Sequence, residues 1–381
     1  MHLIVFCHLR WDFVWQRPQH VLSRLARHHK VLFVEEPIDS KGPSRLEKVQ
    51  PLPNLEVLRP HIAGAGQGFA DDQMAAVREM LAAHLQRQAI TDYVVWFYTP
   101  MALPLLEGLR PKAIVYDCMD ELSAFKNAPA LLREREAQLL EHADVVFTGG
   151  PSLYEAKRNR HPNVLCLPSA VDAEHYSPRR ARADGEAMQR AHALQGAMGR
   201  PRLGFFGVID ERLDIGLVDE LASAHPAWQL VMVGPVAKIS PDRLPRRKNI
   251  HWLGQQPYGL LPQLVAGWDV CLLPFALNES TRFISPTKTL EYMAAEKPVV
   301  STPVRDVSVL YGHNVRIAAA GPEFAEACRQ ALAETPSDVA ERNTRMRKTV
   351  RRYSWDETAD TMRRAIASAV ITAPDALPKA A

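Results

Sequence analysis

At 381 residues the chain is too long for one ordinary domain and suits two domains of roughly 150–200 residues each. A hydrophobic content of 47% with 23% charged residues is ordinary for a globular protein in water, and a net charge of +3 gives little support to nucleic-acid binding. Five scattered cysteines contain no C-x-x-C pair, which favours reduced thiols over disulfides or a zinc site.

The N-terminal segment Met1–Cys7 is too short for a signal peptide, and no apolar run approaches the ~20 residues that a membrane helix needs. The sequence therefore predicts a cytoplasmic protein and leaves open a contact with the inner face of the membrane.

Apolar runs of strand length alternate with amphipathic segments of helix length in the first half of the chain. Continuous apolar runs are typical of strands buried on both faces of a parallel sheet. The predicted strands are Leu3–Cys7, Val31–Val34, Leu55–Leu58, Tyr93–Phe97, Ala113–Tyr116, Val145–Thr148 and Val164–Leu167. The predicted helices are Pro18–Arg27, Asp71–Arg87, Ala130–Glu141 and Ser152–Asn159.

A polar, helix-prone stretch follows, and the strand pattern then restarts. The later predicted strands are Leu203–Phe206, Gln229–Val233, Ile250–Leu253, Val270–Leu273, Val299–Ser301 and Val315–Ile317, before a last helix at Ser354–Ile371. The pattern predicts an α/β protein with two Rossmann-like, doubly wound parallel-sheet domains. The predicted divisions are a first domain (1–178), a linker (179–200), a second domain (201–353), a final helix (354–372) and a disordered tail (373–381).

The most informative segment lies within the second predicted domain, at 268–302. Ser285 before Pro286 predicts a helix start, because proline pre-sets the first turn and the serine hydroxyl can cap it. Lys288 in that first turn opposes the helix macrodipole unless an anion binds there, and a helix N-terminus with a lysine is a phosphate site. Glu291, one turn later, can accept hydrogen bonds from sugar hydroxyls. The alternative is a solvated Lys288/Glu291 pair on an exposed helix face.

This segment resembles the nucleotide-sugar glycosyltransferases of the GT-B type, whose donor helix ends E-Y/A-M-A-x-x-K/R-P-V-V. The segment VLCLPSAVDAEHYSP (164–178) is similar to their interdomain hinge, and NIHWLGQQPYGLLPQLVAGWDVCLLP (249–274) to the strand, turn and helix before the donor loop. The early motif W-D-F-V-W-Q-R-P-Q-H resembles a bacterial subgroup that includes teichuronic-acid and other surface-polysaccharide transferases.

The resemblance implies a cytoplasmic hexosyltransferase whose two domains face a cleft and whose last helix crosses back onto the first domain. The second domain would hold a nucleoside diphosphate sugar, the first a glycan or lipid-linked acceptor, with no cofactor. Gly207 gives the backbone room for close approach, and Arg212 lies where the resembled enzymes place a basic residue, unless it is a surface arginine paired with Asp210 or Asp214. The implied donor-binding residues are Gly207, Arg212, Ser285, Thr287, Lys288, Thr289 and Glu291.

Charged and aromatic residues follow the first predicted strand, where ligands bind in open α/β sheets. No glycine occurs before Gly42, which excludes the G-x-G-x-x-G turn of a nicotinamide enzyme at this place. Trp11 can stack on a sugar ring and Arg17 can pair with a phosphate or carboxylate, so both are predicted to bind the acceptor. Asp12 and His8 are candidate bases. Tryptophans packed on the next helix and a buried histidine are the alternatives.

The acidic turn YDCMDEL (116–122) follows another predicted strand. An inverting transferase needs a general base for the acceptor hydroxyl, and Asp120 is the preferred candidate. Asp117 is a second candidate, with a helix N-cap as the alternative.

Two departures from the resembled enzymes matter for the mechanism. Phe283 stands where the retaining group has a glutamate, eight residues before Glu291, so the sequence leaves the stereochemical outcome open. No D-x-D triplet occurs, and the prediction is a metal-independent reaction in which Lys288, Arg212 and the helix N-terminus stabilise the leaving group. A nucleotide-sugar epimerase or hydrolase, and an inactive nucleotide-sugar or glycan-binding protein, remain as alternatives. The sugar, the nucleotide, the acceptor and the oligomeric state stay open.

Overall fold

The computed structural model describes residues 1–372, and the predicted tail 373–381 lies outside the described residues. The chain divides into two compact units. Within the described residues, unit 1 is Met1–Pro168 together with Trp355–Thr372, and unit 2 is Ser169–Ser354. None of the helices within residues 1–372 is both long and apolar enough to cross a membrane.

Strands and helices alternate along both units, as the sequence predicts. The strands are β1 (His2–Cys7), β2 (Lys30–Glu35), β3 (Ile38–Asp39), β4 (Arg45–Leu52), β5 (Leu55–Ile62), β6 (Tyr93–Phe97), β7 (Ile114–Cys118), β8 (Val145–Thr148), β9 (Val164–Cys166), β10 (Arg202–Phe206), β11 (Gln229–Val233), β12 (Ile250–Trp252), β13 (Val270–Leu273), β14 (Val299–Ser301) and β15 (Arg316–Ile317). The helices are α1 (Arg17–Leu25), α2 (Met74–Arg87), α3 (Leu132–His142), α4 (Pro151–Lys157), α5 (Pro178–Ala183), α6 (Gly185–Gln195), α7 (Ile215–Ala224), α8 (Leu261–Ala266), α9 (Thr287–Ala294), α10 (Arg305–Tyr311), α11 (Pro322–Leu332), α12 (Pro336–Val350) and α13 (Trp355–Thr372).

Unit 1 contains one sheet in the order β3-β5-β2-β1-β6-β7-β8-β9, with β4 added on β5. All its pairs are parallel except β4 with β5, and this antiparallel edge strand was not among the predicted strands. Two residues join these strands, too few for a crossover, and Asn54 there has a φ of +61°. Strand β4 has no fully buried residue, so its polar sequence carries no apolar run to reveal it.

The last helix, α13, belongs to unit 1, as predicted. Its first residue, Trp355, is fully buried and stacks on His20 of α1 with ring centroids 4.8 Å apart. Arg24 of α1 forms an ion pair with Asp356 at 3.2 Å. These contacts place the final helix against α1.

Unit 2 contains a parallel six-stranded sheet in the order β12-β11-β10-β13-β14-β15. Chain order reverses between β10 and β13, and ligands of doubly wound folds bind at such a switch point, beyond the carboxyl ends of the strands. The loops that follow β10 and β13 are therefore the expected position of a ligand-binding site.

The division between the units differs from the predicted boundary at 178. It falls after Pro168, and the predicted linker 179–200 contains helices α5 and α6 of unit 2. The stretch is polar on average, yet one face is buried: Gln195 is 3% exposed, and its side-chain oxygen accepts a hydrogen bond from Trp268 Nε1 at 3.0 Å. That burial makes the stretch part of the folded unit.

Candidate functional site

Two glycines shape the switch point of unit 2. Gly207 follows β10 with a φ of +147°, and Gly234 follows β11 with a φ of +144°. A Cβ on Gly234 would lie 1.8 Å from the carbonyl oxygen of Gly207, so the two loops pack backbone against backbone. A Cβ on Gly207 would lie 2.0 Å from Cε of Lys288. Gly207 thus makes room for the lysine side chain.

Helix α9 presents its N-terminus beside these loops. The helix begins at Thr287, Pro286 occupies the N-cap position, and no side chain caps the helix. The prediction that Ser285 caps it is therefore wrong: the buried Ser285 hydroxyl makes no hydrogen bond within residues 1–372, while its carbonyl accepts from Ser169 Oγ at 2.7 Å. The Thr287 hydroxyl donates to Ser169 Oγ at 3.2 Å. This serine–threonine contact fixes the start of the helix without covering it.

Lys288 brings a positive charge to the same helix turn. Its stem lies against Gly207, and its Nζ is 6.0 Å from the ring centroid of Phe206. A lysine in the first turn beside a glycine-rich loop is an arrangement that attracts anions, because the helix dipole and the ammonium group act in the same direction. The buried Thr289 hydroxyl, with no hydrogen bond among the described residues, lies on the next residue of the helix.

Glu291 is buried rather than solvated, which excludes the exposed-pair alternative. The residue is 5% exposed, and burial raises the pKa of its carboxyl from 4.5 to about 7. The positive charge of Lys288 and the Tyr176 hydroxyl act in the opposite direction and favour the carboxylate. A buried carboxyl with a pKa near neutrality, one turn from a lysine, is typical of a binding or catalytic site.

Arg212 is held in place by Asp210. Its Nε lies 3.0 and 3.1 Å from the two Asp210 carboxylate oxygens, and its Nη2 donates at 2.7 Å. Asp210 is 3% exposed, whereas the Arg212 side chain is 26% exposed. The other suggested partner, Asp214, instead caps α7 by accepting from Leu217 N at 2.9 Å.

The loop that carries Arg212 is also fastened to the loop after β13. Ala276 N donates to Arg212 O, and Asp214 N donates to Pro274 O, each at 2.8 Å. Two backbone hydrogen bonds therefore tie the two sides of the switch point together, and Arg212 is paired with Asp210 while part of its side chain remains exposed.

In unit 1 the structure gives Arg17 a different role from acceptor binding. Its guanidinium makes a bidentate ion pair with Asp117, with Nη2 to Oδ1 at 2.9 Å, and its Nη1 donates to Leu167 O at 2.8 Å. Arg17 is 5% exposed and Asp117 is fully buried. Asp117 is thus neither a helix cap nor open to solvent; the pair joins α1 to the ends of β7 and β9.

Trp11 likewise packs in the core and does not offer an open face. It is 4% exposed, lies edge-on to Phe33 with ring centroids 5.2 Å apart, and its backbone N donates to the buried Glu35 carboxylate at 2.8 Å. Its neighbour Asp12 is exposed and forms an ion pair with Arg59.

The remaining candidate bases lie at the carboxyl edge of the unit 1 sheet. His8 follows β1 and Asp120 follows β7, and both are half-buried. The residue after Asp120 is anchored, because Glu121 accepts from Lys157 Nζ at 2.6 Å and Lys157 also donates to Glu136 at 2.7 Å. These contacts of Lys157 anchor the turn that contains Asp120. A catalytic role for His8 or Asp120 stays a prediction.

Sequence reasoning missed two features of the site and gave a third only as an alternative. Gly234 was visible as a glycine directly after a predicted strand. The Asp210 clamp on Arg212 was foreseen only as an alternative, and the approach of Tyr176 to Glu291, 115 positions apart by their numbers, had no local signal. Within residues 1–372 no three His, Cys, Asp or Glu side chains converge as metal ligands.

Part of the chain matches known glycosyltransferases in sequence. Residues 200–334 match the family model described as "Glycosyl transferases group 1". The Bacillus subtilis (strain 168) protein TuaH, named as a teichuronic acid biosynthesis glycosyltransferase, is 24% identical over 265 residues, and the alignment covers 64% of this chain and 64% of TuaH. This chain thus matches less than two thirds of that relative's length.

Two solved structures share the whole fold. Anabaena Alr3699/HepE, in complex with UDP and glucose, has a TM-score of 0.71 at 16% identity and covers 97% of this chain and 100% of its own. The sucrose-phosphate synthase of Thermosynechococcus elongatus has a TM-score of 0.71 at 14% identity, covering 96% and 98%. The predicted GT-B fold of two parallel-sheet α/β domains, and the resemblance to glycosyltransferases, are confirmed.

Proposed function

We propose that this protein transfers a sugar from a nucleoside diphosphate sugar to a glycan or lipid-linked acceptor during synthesis of a cell-surface polysaccharide. The observation that carries the proposal is the uncapped N-terminus of α9, with Lys288 laid on Gly207 and the buried Glu291 one turn later. The diphosphate binds at the helix N-terminus and Lys288, and the ribose hydroxyls bind Glu291.

The relatives support the same assignment. The matched family model covers the part of unit 2 that carries Lys288 and Glu291, and a protein of the same fold was solved with UDP and glucose. TuaH, by its name, supports the polysaccharide role. We place the reaction in the cytoplasm, with acceptor contact at the inner face of the membrane, and we propose Asp120 as the base.

Nucleotide binding tests the donor site directly. Lys288→Ala should weaken binding of UDP or GDP by about 10-fold or more, since a hydrogen bond to a charged group is worth roughly 1.5–3 kcal/mol. The variant should stay folded with a melting temperature close to the parent's, because removing the clash with the helix dipole and losing the charge that favours the Glu291 carboxylate act in opposite directions. Lys248→Ala, which removes an exposed lysine of the same unit, is the matched control. Parental affinity in Lys288→Ala would show that the diphosphate binds elsewhere.

Turnover separates the proposal from its alternatives. A transferase releases nucleoside diphosphate rapidly only when an acceptor is present, an epimerase or hydrolase needs no acceptor, and a binding protein shows no turnover. We also propose that the reaction needs no divalent metal, because Lys288, Arg212 and the helix N-terminus supply positive charge for the leaving diphosphate. Activity should therefore persist in EDTA; loss in EDTA with rescue by magnesium or manganese refutes that part.

A further inference from the structure

Tyr176 lies beside the donor site although it is distant in sequence. The residue is 1% exposed, and its ring stacks parallel to Phe206, with centroids 6.0 Å apart and planes 2° apart. The ring of Tyr258 packs edge-on against the ring of Tyr176, with centroids 6.0 Å apart. The two neighbouring rings therefore fix the position of the Tyr176 ring independently of its hydroxyl group.

The Tyr176 hydroxyl lies against the Glu291 carboxyl. It is buried and makes no hydrogen bond of normal geometry within residues 1–372. Burying a hydroxyl without a hydrogen-bond partner lowers the stability of the folded protein by about 1–3 kcal/mol. A functional role for this hydroxyl would explain why a tyrosine occupies the position. Two further groups near the carboxyl come from its own helix: Lys288, whose charge favours the carboxylate, and Tyr292, whose hydroxyl accepts from Phe206 N at 2.9 Å.

We propose that Tyr176 is a positioning residue of the donor site: its hydroxyl donates a hydrogen bond to the Glu291 carboxylate and turns the carboxylate toward the ribose hydroxyls. This inference rests on the proposed function, because it gives Glu291 the ribose-binding role. Burial raises the pKa of the Tyr176 phenol well above its usual range, so the phenol keeps its proton and remains a donor.

Two consequences follow from a phenol that donates only to the ionised carboxyl. First, the tyrosine favours the carboxylate form, so its loss should move the pH midpoint of nucleotide binding upward. Second, its contribution should depend entirely on the carboxylate, so it should vanish in a protein whose residue 291 carries no charge.

The test measures UDP and GDP affinity by calorimetry from pH 5.5 to 8.5 in four proteins: the parent, Tyr176→Phe, Glu291→Gln and the double variant. Phenylalanine keeps the ring stack, so Tyr176→Phe should melt at the parental temperature or above it. At pH 7 it should bind the preferred nucleotide about tenfold more weakly or worse, as expected for a hydrogen bond to a charged group. Tyr311→Phe is the matched control, because that buried hydroxyl faces Tyr353 and Asp306.

The outcomes separate the two ideas. If Glu291→Gln weakens nucleotide binding but Tyr176→Phe binds as the parent does at every pH, the role of Tyr176 is refuted and the donor site stands. If Tyr176→Phe loses as much affinity in the Glu291→Gln background as in the parent, the tyrosine acts through packing and the inference is also refuted. If Glu291→Gln binds like the parent, the ribose assignment fails, and the tyrosine's role fails with it.

Discussion

Glu291→Gln should stabilise the free protein at alkaline pH relative to the parent, even though we expect it to weaken nucleotide binding. In the folded protein burial raises the pKa of Glu291 from 4.5 to about 7. The folded state therefore holds the proton more tightly than the unfolded chain, and stability falls as pH rises from 4.5 to 7. Above pH 7 the ionised carboxyl should cost about 3 kcal/mol, from 1.36 kcal/mol for each pKa unit. Below pH 4.5 the cost disappears.

Glutamine keeps the shape of the side chain and never ionises, so the variant escapes the pH-dependent part of this cost. About 2.5 kcal/mol of this cost develops between pH 5 and pH 8.5, because part of it is already present at pH 5. For a unit of this size 1 kcal/mol corresponds to roughly 2–4 °C of melting temperature, so the variant should gain roughly 5–10 °C on the parent over that range. Any fixed cost of burying the amide adds equally at both pH values and cancels in this comparison.

The assay is thermal unfolding of parent and variant in matched buffers at pH 5, 7 and 8.5, with and without saturating nucleotide. At the same nucleotide concentration the melting temperature of the parent should rise more than that of the variant, because a bound ligand stabilises by RT ln(1 + [L]/Kd). A melting difference that stays constant from pH 5 to 8.5, or that moves in favour of the parent, would refute the argument that Glu291 is buried at a cost in stability.

Three further variants test the framework around the site. Asp117→Asn should lower the free energy of unfolding in urea by about 3–5 kcal/mol, since it leaves a buried arginine without its counter-charge. Asp184→Asn, at a helix N-cap, is the control and should change the stability little. A small and equal loss of stability in both variants would contradict the role of the buried ion pair. Asp120→Asn should lower turnover about 10²–10⁴-fold at saturating donor without changing donor affinity; a parental rate would place the base elsewhere. Gly234→Ala should lower the melting temperature and weaken nucleotide binding, because its Cβ would overlap a backbone oxygen, whereas Gly259→Ala meets no atom within 4 Å and should do neither.

Much of the fold could be predicted from the sequence because its strands are buried on both faces. Continuous apolar runs such as Tyr93–Phe97 and Val270–Leu273 have the bounds that the structure gives them. Local sequence also predicted the helix after Pro286, which the structure shows as α9. An anion at its first turn, inferred from Lys288, stays a prediction. Strand β4 escaped because half-exposed edge strands carry polar residues.

Tertiary structure alone decided which candidate side chains are open to a ligand. Arg17 and Trp11 have the residue types of a sugar site, but Asp117, 100 positions from Arg17, takes the guanidinium, and Phe33 covers the indole. Conversely, Glu291 reads as an exposed helix residue until the fold buries it opposite Tyr176. A short stretch of sequence shows which chemistry a side chain can perform. Its burial and its partners depend on segments that are distant in sequence and come together only in the folded protein.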